Sequence, residues 1–266
     1  MRYKYWQFRF GWSMILLIVS NYVIAQKSDS SLIDKKYFIS FFKDSRDLVL
    51  SPGKIRREDW NFAGAAVLAI PAGFMFDEPV EKFFRRQEIR SGNEEWLDYS
   101  ISNFGNGLYP GAAALVLYGI GACKKRDDLK WMALLQIKTL GISVAASRVP
   151  KYLFQRKRPD ENIPVNAWNW SGPLQGFTGN YSFTSGHTFI AFSWAAVTAS
   201  AYKEKKGLVI GLYSVASLVG ASRVYKGEHW SSDVLGGAVL GYALGKLMYR
   251  FQEKNWMKRP YRKNHF

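Results

Sequence analysis

One cysteine, three histidines and no internal repeat set the first limits on this 266-residue chain. Cys123 alone excludes an intrachain disulfide and any zinc site built from a cysteine cluster. No stretch alternates apolar and polar residues for long enough to demand a sheet, and no low-complexity linker divides the chain. Acidic residues are also scarce: 21 Asp and Glu against 37 Lys and Arg leave a formal charge of +16. That surplus points to anionic partners, whether phosphate groups, anionic lipid or nucleic acid. At 48% hydrophobic and 16% aromatic, the chain is too apolar to be disordered. Its length supports one sizeable core or two small domains.

The N-terminus lacks an apolar run long enough to cross a bilayer, which takes about 20 residues. Arg2, Lys4 and Arg9 precede a shorter run, "WSMILLIVSNYVIA", from Trp12 to Ala25. A basic start, an apolar middle and the ending Val23-Ile24-Ala25 read as a secretory leader over residues 1–25, with an uncleaved anchor as the alternative. No cysteine follows Ala25, so a lipoprotein anchor is not suggested. Export to a bacterial cell envelope is therefore expected. Residues 26–59 form a polar segment containing the turn Ser51-Pro52-Gly53.

Beyond it, apolar segments of helical length recur over roughly Phe62–Phe76, Gly107–Cys123, Trp131–Val149, Thr188–Tyr202, Gly207–Ala221 and Val234–Phe251. An amphipathic helix over Glu78–Ile101 is also expected. The pattern predicts an all-α bundle of about six core helices within residues 60–252, followed by a basic tail at 253–266. Several segments are short for a membrane span, and the mean hydropathy of −0.17 is low for six of them. Lys138 lies inside the third segment, where lipid would penalise it unless it faces protein or water. Basic residues do cluster in the second and fourth connections and the tail, as a positive-inside pattern requires. Six full spans after a cleaved leader would put the tail outside, so these two signals conflict. The expectation is a membrane-associated, outward-facing domain whose number of spans stays open.

Three short stretches carry the chemistry: "KYLFQRKRP" from Lys151 to Pro159, "FTSGH" from Phe183 to His187, and "SRVYKGEHWSSD" from Ser222 to Asp233. Each alone has a bland reading. Lys151 and Arg158 suit solvated charges at a helix end, Ser185-Gly186 suits a helix cap, and His187 suits a satisfied polar core residue. His229 and Asp233, one helical turn apart, suit an exposed pair or metal ligands. Together they describe a phosphate site. Lys151, Arg158 and Arg223 supply three cations, two of them guanidinium forks that match phosphate oxygens. Ser185 and Gly186 add a hydroxyl and backbone N–H groups at a helix N-terminus. Asp233 is spaced to accept from one ring nitrogen of His229, leaving the other as a nucleophile, while His187 remains for acid–base work. Three cations around a divalent metal would repel it, so no metal is expected.

The pattern Lys-x6-Arg-Pro, Ser-Gly-His, Ser-Arg-x5-His-x3-Asp resembles the type-2 phosphatidic acid phosphatase and vanadium haloperoxidase superfamily, in its bacterial membrane-associated phosphatase branch. All three blocks occur in order, and the resemblance covers roughly residues 100–250. It departs at Thr184, where the family usually has proline; Thr184 can itself cap the helix. The resemblance implies an α-helical bundle in which His229 attacks phosphorus to form a phosphohistidine, oriented by Asp233. It implies that His187 protonates the leaving group, and that Lys151, Arg158, Ser185, Gly186 and Arg223 hold the phosphoryl oxygens. No cofactor is implied in the phosphatase branch.

Residues 160–183 are placed to cover the site mouth, with Trp168, Trp170, Phe177 and Tyr181 either meeting a lipid chain or packing the loop down. The activity expected is hydrolysis of a lipid-linked or small phosphate ester at a membrane surface. Candidate substrates are phosphatidate, phosphatidylglycerol phosphate, undecaprenyl diphosphate and lipid A phosphates. The alternatives are a haloperoxidase holding vanadate in the same pocket, or a non-enzymatic basic module that binds anionic lipid. An export signal disfavours nucleic acid.

Overall fold

Ala- and Leu-rich runs, broken by charged or Gly/Pro punctuation, favour helix because such side chains lose little rotamer freedom there. The computed structural model describes residues 32–33, 35–50, 59–86, 101–159, 166–173 and 180–257. Among these the chain is all-α. A lone bridge pairs Arg156 with Trp170, and no strand forms. In chain order the helices are α1 (Lys35–Val49), α2 (Trp60–Phe74), α3 (Asp77–Arg86), α4 (Leu108–Cys123), α5 (Asp127–Ala146), α6 (Arg148–Phe154), α7 (Gly186–Ala201), α8 (Lys206–Tyr225) and α9 (Ser231–Met257). Residues 101–105 add a helical stretch. Contacts divide the chain into residues 1–38 and 39–266, and the helical bundle belongs to the second unit. The leader-like stretch 1–25 and residues 258–266 of the basic tail lie outside the described residues.

The departures from the expected boundaries have local causes. α5 opens four residues before Trp131 because Asp127 and Asp128 complement the positive end of the helix dipole. α9 opens at Ser231 because Asp77, far away in sequence, accepts from the Ser232 N–H at 2.7 Å and from the Ser231 hydroxyl at 2.7 Å. The same helix runs on to Met257, into what the sequence suggested as tail. α7 is capped by Ser185, whose hydroxyl accepts from the Thr188 N–H. Thr184 does not cap it; its hydroxyl is buried and has no hydrogen-bond partner among the described residues. The amphipathic helix expected over 78–101 is helical over Asp77–Arg86, and residues 87–100 lie outside the described residues. Within the polar segment 26–59 the structure shows a helix, α1, which sequence reading had not anticipated.

α7 is the central element. It packs on α9, α8 and α5 and is buried along most of its length. Met132, Leu135, Ile142, Phe189, Val197, Leu244 and Met248 form the main core between α5, α7 and α9. The polar residues inside it are satisfied locally: Thr139, Ser143, Ser193 and Thr198 each donate to the carbonyl one turn back. Gly237, Gly241 and Gly245 line one side of α9, where a Cβ would collide with the backbone of Ser185, Phe189 and Ser193 respectively. The two helices therefore touch backbone to backbone, as small-residue stripes permit. That contact aligns the N-termini of α7 and α9.

Lys138 resolves as a partner for α1. Its ammonium sits 2.8 Å from Asp44, both side chains 1% exposed, with the Ser40 hydroxyl also accepting. Gln252 of α9 donates to the same carboxylate. Outward faces are apolar: Val67, Leu68, Leu115, Val116, Ile210 and Leu218 are all exposed. Two helical stretches, 127–154 and 206–225, are long and apolar enough to cross a membrane, and the pair α2–α3, bent by 49°, makes a third if taken as one span.

Two predictions follow from this packing. Gly241→Ala should lose about 1–3 kcal/mol in detergent-phase unfolding through overpacking. Gly211→Ala, where the added methyl meets open space, should stay within about 0.5 kcal/mol. Equal stability of the two variants would disprove the close approach. Lys138→Ala strands a buried carboxylate and should cost about 3–5 kcal/mol, most of it recovered in Lys138→Met with Asp44→Leu. A single variant as stable as the parent in the same measurement would show that the pair is not buried.

Candidate active site

The three blocks meet because backbone and side-chain bonds lace them together. The Ser185 N–H, at the head of α7, donates to the Asp233 carbonyl at 3.0 Å. The Ser182 N–H donates to the Arg156 carbonyl at 2.9 Å, and its hydroxyl donates to the Asp233 carboxylate. A Cβ built on Gly186 would lie 3.7 Å from the Lys151 Cε, so the first block's lysine stem runs alongside the second block's glycine. Lys151 Nζ donates to the Tyr181 carbonyl at 2.6 Å. Ser185 serves as the cap of α7, and its hydroxyl also accepts from the Thr188 hydroxyl at 2.9 Å.

His229 is buried in the loop before α9, with Nδ1 3.6 Å from Asp233 Oδ2. Asp233 is wholly buried and accepts from Arg156 Nη1 at 2.6 Å, the Trp230 N–H at 3.0 Å and Ser182. Burial alone would raise its carboxyl pKa, yet the facing His229, the Arg156 charge and the Ser182 hydroxyl hold it below the usual range. Asp233 is therefore ionised. Burial lowers the His229 imidazole, and the charges of Lys151 and Arg158 add to that, against the pull of Asp233. Arg158 itself is exposed.

His187, half-buried at the second position of α7, is pushed down to about 4. Burial is the main cause, the Arg223 charge the next, with Glu228 opposing and His229 and Lys151 adding to the depression. Arg223 is 4% exposed, donates to Glu228 at 3.0 Å and to the Ser102 hydroxyl, and ends α8. A Cβ on Gly105 would fall 2.7 Å from the His187 Cβ, so the stretch 101–105 backs both His187 and Arg223. The structure thus gathers Lys151, Arg158, His187, Arg223, His229 and Asp233 at one end of the bundle, with Ser185 and Gly186 at the helix head between them. Three cations and two imidazoles gathered about a helix N-terminus can hold a tetrahedral oxyanion.

Sequence reading missed Arg156, Asp77 and Glu228. Arg156 sits between two named motif positions and nothing in its spacing sets it apart; Asp77 comes from a helix outside the motif stretch. The aromatics divide. Trp170 packs against Phe74, Phe154 and Phe183, and Tyr181 against Tyr152, which makes them loop packing. Trp168 touches Phe74 but is 66% exposed, open to an external chain. Phe177 lies outside the described residues.

The helical bundle thus carries clustered cations and a buried imidazole–carboxylate pair at one end. Residues 130–257, which hold every residue of the three blocks, match the PAP2 superfamily. It is 34% identical over 145 residues to the lipid A 1-phosphatase of Porphyromonas gingivalis, covering 53% of this chain and 28% of that protein. It is 34% identical over 148 residues to phosphatidylglycerophosphatase B of Bacillus subtilis, covering 53% of this chain and 66% of that one. A crystal structure described as a transmembrane PAP2-type phosphatidylglycerolphosphate phosphatase from Bacillus subtilis aligns with a TM-score of 0.49 at 25% identity, over 84% of this chain and 98% of that chain. The chain thus spans under two thirds of the length of the first two relatives. With its apolar outward faces and family, the protein is membrane-associated.

Glu228 occupies part of the Arg223 fork, and a partly exposed ion pair of this kind is worth about 0.2–1 kcal/mol. Glu228→Gln should therefore tighten binding of inorganic phosphate by roughly two- to fivefold in titration calorimetry. Weaker binding in the variant would mean that Arg223 is not part of the anion site.

Proposed function

We propose that the protein is a metal-independent phosphatase that hydrolyses a lipid-linked phosphate mono- or diphosphate ester through a phosphohistidine on His229. The observation that carries this reading is the buried imidazole, faced on Nδ1 by an ionised carboxylate and acted on by Lys151 and Arg158. With Nδ1–H directed at Asp233, the Nε2 lone pair is the nucleophile. It attacks phosphorus while the bond from phosphorus to the lipid oxygen breaks, and the leaving oxygen takes a proton from His187. Water then attacks phosphorus and gives its proton to His187; the P–N bond breaks and inorganic phosphate leaves.

His187 must be protonated for the first step, yet in the resting protein burial and the Arg223 charge push it down to about 4. Arg223 and Lys151 are among the causes, and an arriving phosphate dianion offsets both, which lifts the imidazole towards the protonated form. Substrate thus arms its own acid. Lys151, Arg158, Arg223 and the N–H groups at Gly186 supply charge that strengthens as the transition state gathers negative oxygen, typically the largest part of such catalysis.

The relatives named above act on lipid A and phosphatidylglycerophosphate by name, and this pocket grips only the phosphate they share. The exposed Val149, Tyr152, Leu153 and Trp168 lie on or near the lysine-bearing helix and suit an acyl or prenyl chain. An outward, periplasmic mouth is supported by the leader-like N-terminal run. The test is phosphate release from lipid phosphates by purified protein. His229→Ala should lose at least about a thousandfold in kcat while keeping phosphate affinity within about threefold. Equal turnover in variant and parent would leave only an anion-binding module.

A further inference from the structure

Arg156 heads the fully buried side chains by size among the described residues, and both of its carboxylate partners are 0% exposed. Its guanidinium carbon lies over three rings: Trp170 at 4.7 Å, Phe74 at 4.9 Å and Trp230 at 5.3 Å. A guanidinium has five N–H donors, and here each has an acceptor. Nε donates to the Ala167 carbonyl at 3.1 Å. Nη1 donates to Asp233 Oδ1 at 2.6 Å and the Ser232 hydroxyl at 2.7 Å. Nη2 donates to Asp77 Oδ2 at 2.6 Å and Ala167 again at 2.7 Å. No donor is left over for a phosphate oxygen, so Arg156 is not a member of the anion grip despite lying two residues from Arg158.

We propose that Arg156 is a positioning residue that fixes the tautomer of His229 by locking the rotation of the Asp233 carboxylate. The lock works from both ends. Arg156 takes Oδ1, so Oδ2 is the oxygen turned to the His229 Nδ1, with Ser182 and the Trp230 N–H holding it there. At the far end, Asp77 grips Arg156 and the first turn of α9 together, through Ser231 and Ser232. One guanidinium between two carboxylates leaves the cluster with a single net negative charge, which stabilises the Nδ1–H form facing it. The aromatic walls keep the fork in one plane and exclude water, so a lysine, with a point charge and rotatable donors, cannot substitute. Because α2 and α3 supply Phe74 and Asp77, the lock ties the nucleophile to helices outside the motif-bearing region.

The catalytic consequence rests on the phosphatase reading; the tautomer does not. The test uses the full chain in detergent micelles with ¹⁵N-labelled histidine, the His229 signals being assigned by their loss in His229→Ala. The parent should show the Nδ1–H tautomer at neutral pH. Arg156→Lys should shift the ring to a mixture or to Nε2–H, and lower kcat by about thirtyfold or more while KM stays within about threefold. If Arg156→Lys does not fold, the double variant Arg156→Gln with Asp77→Asn removes one positive and one negative buried charge, keeps the net charge of the cluster, and should give the same shift. A parent-like ring spectrum in either folded variant overturns the proposal, as does a rise in KM at unchanged kcat. A parent with no phosphatase activity would instead overturn the proposed function and leave the spectral test standing.

Discussion

The backbone contact between α7 and α9 is the constraint on which the site depends. Glycines at 237, 241 and 245 let the two helices approach until a single methyl would collide with a carbonyl or its neighbours. Only at that separation does the Ser185 N–H reach the Asp233 carbonyl, joining the head of the Ser-Gly-His helix to the first turn of the helix that carries Asp233. The Ser-Gly-His block and the block that carries Asp233 are thus registered by packing together with this bond and the Ser182 hydroxyl on the Asp233 carboxylate. Packing of this kind costs no polar desolvation, which suits a bundle whose outer faces are apolar.

Buried charge is the second organising element, and it is unusually concentrated. Lys138 with Asp44 ties α1 to the bundle, and Arg156 with Asp77 and Asp233 ties α3 to α9. Isolated, each of these groups would carry a large desolvation penalty. Paired and fully hydrogen-bonded, they confer orientation more than stability, since an apolar replacement of a whole pair is often as stable. That trade suits the neighbourhood of an imidazole whose two ring nitrogens differ in their surroundings. Arg158, by contrast, is exposed, and Arg223 shares its fork between Glu228 and Ser102.

The same environment explains the two imidazoles. His229 and His187 are both depressed, chiefly by burial, but for different ends. A neutral His229 has the lone pair that a nucleophile requires. A neutral His187 lacks the proton that a general acid requires, and the cations around it are what an anion would compensate.

Much of this was legible in the order of residues. Helical periodicity set the class and the approximate spans, because apolar spacing is a local property that each segment carries with it. The three short blocks pointed to a phosphate-binding imidazole chemistry through residue types alone. What sequence order did not mark was that, of Lys151, Arg156, Lys157 and Arg158, Arg156 is the one locked into the fold between buried carboxylates. It also hid α1 inside a polar stretch, the capping of α9 by Asp77, and the assignment of Trp170 to structure rather than substrate. Those distinctions depend on burial and on partners contributed by distant helices, and a guanidinium acquires its role only when the acceptors around it are in place. Chemistry by residue type was thus set by the sequence itself; the division of labour among like residues was decided by tertiary packing.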